Sequence, residues 1–158
     1  MTPEQRATIE TQCDTIAKAG TEHAHQRAFF AWLAWTKRLG NFPRADRCFA
    51  IPNGGKRDPI TAARLKAEGV KAGVPDTFYP VPSLYANAAD CEFMRHGLFM
   101  EFKKDKGREQ ANQTDWIAEA IADNYAACTV YSWRAAASAF TCYHNGHNGI
   151  SMQREYRE

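Results

Sequence analysis

Two rhythms of apolar positions run along the chain, a three-to-four-residue spacing and a strict alternation, and their order predicts the fold. Thr2 followed by Pro3 and Gln5 has the form of a capping box, so a first helix is expected to about Lys18, stopped at Gly20. Thr21 then caps a second helix on which Glu22, Gln26, Phe29, Phe30 and Leu33 share one face, polar at its start and apolar beyond. Cys48-Phe49-Ala50-Ile51 reads as a short strand, and Pro52-Asn53-Gly54-Gly55 as a turn whose backbone can approach a ligand closely. A basic helix from Pro59 to Glu68 should end at Gly69, with Ala62, Ala63 and Leu65 as a modest apolar face. Thr77-Phe78-Tyr79 and Gly97 to Phe102 are strand-like. Gln113, Trp116, Ile117, Ala120 and Ile121 then recur at helical spacing, Cys128 to Tyr131 forms a further strand, and Arg134 to Tyr143 a last helix. This order predicts an α/β fold with a central mixed sheet flanked by helices. The stretch from Pro80 to His96 exceeds an ordinary hairpin loop, and a lid, a wedge against a substrate, a dimer contact and disorder all remain open for it.

With 158 residues, 44% of them hydrophobic, one core is expected. Residues 1–20 are expected as a helical extension, 21–143 as the domain proper and 144–158 as a flexible tail. A formal charge of only +2 means that nucleic-acid contact must come from local clusters. One gathers Lys56, Arg57, Arg64, Lys66 and Lys71; a second gathers Lys103, Lys104, Lys106 and Arg108. Five scattered cysteines without a Cys-x-x-Cys suit a reducing compartment. No leader or membrane-length apolar run is seen, so a soluble, intracellular protein is expected. Cys142, His144 and His147 lack a fourth ligand and make a poor zinc site.

The chemistry concentrates in Gly73-Val74-Pro75-Asp76 and Glu101-Phe102-Lys103. Alternation in a strand puts Phe99, Glu101 and Lys103 on one face and Leu98, Met100 and Phe102 on the other, so one face can be core and the other chemistry. Asp76, at the mouth of a neighbouring strand, brings a second carboxylate beside Glu101. A hard cation relieves the repulsion between two such groups, and Lys103 lies where it can orient an attacking water and offset charge on phosphorus. A Glu-x-Lys strand end is also what a solvated sheet edge displays.

These residues together resemble the VRR-NUC branch of the PD-(D/E)XK nuclease superfamily, from about Thr21 to Phe140. The likeness rests on Glu22 and Gln26, on Ile51-Pro52-Asn53-Gly54-Gly55-Lys56-Arg57, on Gly73-Val74-Pro75-Asp76, on Glu101-Phe102-Lys103 and on Gln113. It implies a restriction-endonuclease-like core and a Mg²⁺- or Mn²⁺-dependent DNA endonuclease, acting as a homodimer on four-way junctions, as the stand-alone members do. Asp76, Glu101 and the backbone carbonyl of Phe102 would hold the metal, with Glu22 acting through water. Lys103 would be the catalytic lysine, and Gln113 would position Lys103 or the phosphate. Asn53, Lys56, Arg57, Lys104, Lys106, Arg108 and Gln26 would contact DNA. The first helix and the segment from Ser83 to Arg95 depart from the family pattern. The alternatives are a flap or nicking nuclease, a non-catalytic DNA-binding module, and an interaction surface built on Trp32, Trp35 and Tyr85.

Overall fold

The computed structural model describes residues 1–52, 58–86, 92–104, 111–146 and 155–157. The elements run α1 (Pro3–Ala17), α2 (Glu22–Arg38), a single 3₁₀ turn (Ala45–Arg47), β1 (Phe49–Ala50), α3 (Pro59–Ala67), β2 (Thr77–Tyr79), β3 (Ser83–Ala86), β4 (Glu92–Arg95), β5 (Leu98–Phe102), α4 (Ala111–Ala122), β6 (Ala126–Val130), α5 (Trp133–Asn145) and β7 (Glu155–Tyr156).

Strands β5 and β6 are buried at every position and occupy the middle of a sheet ordered β1-β2-β5-β6-β7. Such runs suit strands covered on both faces. β1, β2 and β5 pair antiparallel, whereas β5, β6 and β7 run parallel, so the sheet is mixed, as the sequence predicts. α2 and α5 cover one face, and Phe29, Trp32, Phe42 and Phe140 interlock edge to face there above Leu98, Met100 and Phe102. α4 covers the other face through Ile117 and Ala120 against Phe99 and Ala127. The expected two-face split of β5 is therefore what the two clusters display.

Five features go beyond the sequence-based expectations or depart from them. Helix α1 has the expected capping box, and its Ile9, Cys13 and Ala17 enter the main core. Asp14 accepts from Trp133 Nε1 at 2.9 Å and from Arg134 at 2.7 Å, which ties the first helix to the start of α5. The stretch from Pro80 to His96 contains the antiparallel hairpin β3–β4, in register Ser83↔Arg95 and Leu84↔Met94. Its base is held by the Ser83 hydroxyl, which donates to the Tyr143 carbonyl at 2.6 Å, and by Arg95, which donates to the carbonyls of Ile121 and Tyr125. In the segment expected as a tail, Glu155 and Tyr156 form the edge strand β7. The apolar face expected on α3 is not buried: Leu65 is only half-buried, Ala62 and Ala63 are exposed, and no residue of that helix is fully covered. Trp32 lies in the core and Trp35 packs half-buried against it, so neither forms the exposed aromatic surface considered from the sequence.

Because α1 shares the main core, Ile9→Ala should lower unfolding stability by about 2–4 kcal/mol, as core truncations do. Ile60→Ala, at an 83% exposed position, should change it by less than about 0.5 kcal/mol. Urea denaturation followed by circular dichroism checks both.

Candidate active site at the β2–β5 strand ends

The register between β2 and β5 sets the site. Thr77 lies opposite Met100, so Asp76, one residue before the strand, comes level with Glu101. Asp76 is fixed by its Oδ2, which accepts the Phe102 N–H at 2.9 Å, and by its own carbonyl, which accepts the Ile51 N–H at 2.7 Å. The Lys103 N–H donates to the Val130 carbonyl at 3.0 Å, so the ladder to β6 holds the backbone straight one residue past β5. Lys103 consequently stays on the face of Glu101, two residues away, and its Nζ lies 2.8 Å from Glu101 Oε1. Both side chains are largely withdrawn from water, at 3% and 11% exposure for Glu101 and Lys103.

Two helix N-termini complete the arrangement. Gln113, in the first turn of α4, donates its amide to the same Glu101 Oε1. Gly73 makes this approach possible: its φ of +89° lies in the left-handed region, and an added Cβ would sit 2.8 Å from the Asn112 carbonyl oxygen. From the other side, Glu22 in the first turn of α2 accepts the Lys104 N–H at 3.1 Å. The chain thus brings together Glu22, Asp76, Glu101, Lys103 and Gln113. Lys104 is exposed beside them, and Gln26 is half-buried one turn further along α2. Asn53, Lys56, Arg57, Lys106 and Arg108 lie outside the described residues. The glycine's close contact with Asn112 was not read from the sequence, where only its place in the Gly-x-Pro-Asp pattern was visible.

Electrostatically the cluster is short of positive charge. The Glu101 carboxyl is raised from the ordinary 4.5 to about 7, first by burial and next by Asp76, with Lys103 opposing without cancelling the rise. Burial likewise raises Asp76, with Glu22 adding to the rise and the Phe102 N–H and Lys103 working against it. Burial alone would lower the Lys103 ammonium, but Glu101, Glu22 and Asp76 outweigh it and hold the group above its usual value. Three carboxylates against one ammonium leave a formal charge of −2. Glu101 Oε2 is buried and has no hydrogen-bond partner among the described residues. An all-oxygen donor set with a deficit of two charges and one unmatched buried oxygen fits a hard divalent cation, which binds through one or two carboxylates and keeps its other positions for water and phosphate. Asp76 and Glu101 are the first candidates to hold it. Among the described residues no three His, Cys, Asp or Glu side chains form a ready-made cage.

The mixed sheet, flanked by helices and carrying acid, acid and lysine at the β2–β5 strand ends, is a PD-(D/E)XK-like nuclease core. No protein-family model matches the chain, and no curated protein matches it. Among solved structures it is similar to a VRR_NUC domain protein, with 26% identity and a TM-score of 0.58 over 84% of this chain and 96% of that one. Fold and likeness together support a VRR-NUC domain. No described helix is long and apolar enough to cross a membrane.

The raised Glu101 carboxyl carries a pH signature. Between about 4.5 and 7 the folded protein binds more protons than the unfolded chain, so stability should fall as pH rises through that window. In chelator, the melting temperature is expected to drop from pH 5 to pH 8, the full effect being on the order of 3 kcal/mol. Glu101→Gln should flatten the dependence. Thermal melts of both proteins across the range check this, and a profile in the variant as steep as that of the wild type would remove the assignment to Glu101.

Proposed function

We propose that the chain is a Mg²⁺- or Mn²⁺-dependent endodeoxyribonuclease that hydrolyses phosphodiester bonds in branched DNA, four-way junctions in particular, as a homodimer in the cytoplasm of a bacterium or phage-infected cell. The observation that carries the nuclease reading is the buried Asp76–Glu101–Lys103 group with its unmatched Glu101 oxygen, in a chain similar to a VRR_NUC domain protein. Asp76, Glu101 and the carbonyl of Phe102 would hold the cation, with Glu22 reaching it through water. When bound, such an ion supplies charge neutralisation at the phosphoryl oxygens and acidification of water.

The protein's own groups do the remainder. The neighbouring carboxylates outweigh burial and keep Lys103 cationic at neutral pH, so it does not remove a proton. It orients the attacking water by hydrogen bonding and offsets charge as phosphorus becomes five-coordinate, an effect magnified where water is excluded. Gln113 fixes the Glu101 carboxylate through Oε1 and leaves Oε2 without a hydrogen-bond partner among the described residues, the oxygen that would hold the cation. Glu22 holds the backbone at Lys104, directly after the site lysine. Lys104, with Lys106, Arg108, Asn53, Lys56, Arg57 and Gln26, would meet the DNA backbone. A four-way junction has approximate two-fold symmetry, and paired incision calls for two sites related by a dyad, which a homodimer supplies.

Matched four-way junction, flap, nicked, linear and single-stranded DNA incubated with Mg²⁺, Mn²⁺ or EDTA tests the reading. Paired metal-dependent incisions in the junction are expected. Asp76→Ala, Glu101→Ala and Lys103→Ala should each lower cleavage at least about a hundredfold, and Gln113→Ala about ten- to a hundredfold. Undiminished cleavage by Glu101→Ala would overturn the site. Cleavage of flap or linear DNA alone would leave the chemistry and remove the junction assignment, and a wild type that binds DNA but cuts none would favour a binding module.

A further inference from the structure

Helix α3 is built unlike the other helices. It spans nine residues and none of them is buried, whereas short helices without a packed face are marginal in water. What holds it is local. Asp58 accepts from the N–H groups of Ile60 at 3.1 Å and Thr61 at 3.0 Å, Pro59 opens the first turn, and Gly69 closes the last with a φ of +96°. Thr61 and Leu65 turn half-buried toward the body of the protein, while Ile60, Ala63, Lys66 and Ala67 face solvent. Ile60 is 83% exposed, the most exposed of the large apolar side chains described.

The charge on this excursion is out of proportion to its length. Residues 52–75 hold Lys56, Arg57, Arg64, Lys66 and Lys71 against Asp58 and Glu68, a net +3, whereas the whole chain carries +2. Everything outside the excursion is therefore net negative by one charge. Its root is equally specific. The chain leaves the sheet after β1 and returns at β2, and the two crossings are joined by the bond from the Ile51 N–H to the carbonyl of Asp76. The helix thus projects from the residue whose carboxylate lies beside Glu101.

Resting on the nuclease reading above, we infer that α3 with the turn after it is a DNA-docking arm. Arg64, Lys66 and Lys71 bind phosphates of the duplex that flanks the scissile bond, and Ile60 packs into the groove between them. The partner is committed to nucleic acid by charge, since a carboxylate-bearing site at the root repels DNA and a positive arm is needed to hold it there. Direct phosphate contact by three side chains carries its own signature, because each phosphate neutralised contributes about 0.9 to the slope of log affinity against log salt on duplex DNA.

The test is fluorescence anisotropy of a labelled duplex and a labelled four-way junction in EDTA, from low to high salt, with wild type, Arg64→Gln/Lys66→Gln/Lys71→Gln, and Ile60→Asp. All three proteins should melt alike, since the positions are exposed. The triple variant should bind at least about tenfold more weakly at low salt, with its salt slope lowered by about 2 to 3. Ile60→Asp should weaken binding several-fold with the slope kept. Wild-type affinity and slope in the triple variant would overturn the arm, and loss of cleavage in Glu101→Ala would then still support the nuclease reading. A triple variant that keeps its DNA affinity but becomes monomeric by light scattering, where the wild type is dimeric, would make α3 a contact between copies of this chain instead. A wild type that binds no DNA would overturn both readings.

Discussion

The repulsion between Asp76 and Glu101 is the constraint around which the rest of the molecule is arranged. Antiparallel pairing of β2 with β5 makes the two carboxylates level, and burial denies them the water that would otherwise screen them. Each is held by a different device: Asp76 by the Phe102 N–H, Glu101 by Lys103 and Gln113. These bonds restrain direction without supplying enough charge, which is why both acids remain high and the lysine is held high with them. A core that tolerates such a cluster must be rigid, since any slip of one residue between β2 and β5 would send these side chains to the opposite face.

That rigidity comes from the layer beneath. Leu98, Met100 and Phe102 alternate with the site-facing residues and lock into the aromatic group of α2 and α5, while Phe99 is clamped under α4 beside Phe78, their rings stacked at 4.1 Å. α2 serves both purposes. Its buried Phe29, Trp32 and Leu33 fix its axis on the sheet, and the same axis carries Glu22 to the Lys104 backbone. The two helix N-termini that converge on the site are thereby oriented by packing some distance from it.

Much of this was legible in the sequence because it is local. Caps, apolar periodicity and the two-face reading of Leu98 to Phe102 each depend on neighbours within a few residues, and the structure realises them. The grouping of Asp76 with Glu101 was readable because short motifs fixed both strand ends. Other features depend on long-range packing and left a weaker trace. The hairpin β3–β4 is preceded by Pro80 and Pro82, and it is held by bonds to Tyr143 and to the end of α4 that no local pattern announces. The lack of burial along α3 was hidden because Ala62, Ala63 and Leu65 look the same whether or not another element covers them. Gly73 stood in view, but its reason, the backbone of Asn112 pressed against it, lies far along the chain.

The tie between Asp14 and the start of α5 joins residues 119 apart. As the protein leaves the ribosome, α1 can pair with α2 early, but its contacts with Trp133 and Arg134 must wait until α5 has been made. β6, which steadies the Lys103 backbone through Val130, also emerges late. Assembly is thus non-local and slow relative to a helical bundle. A nascent chain interrupted before α5 would carry both acidic motifs yet lack the helix that packs beneath the strands holding them, so the site depends on a segment made after all of its own residues.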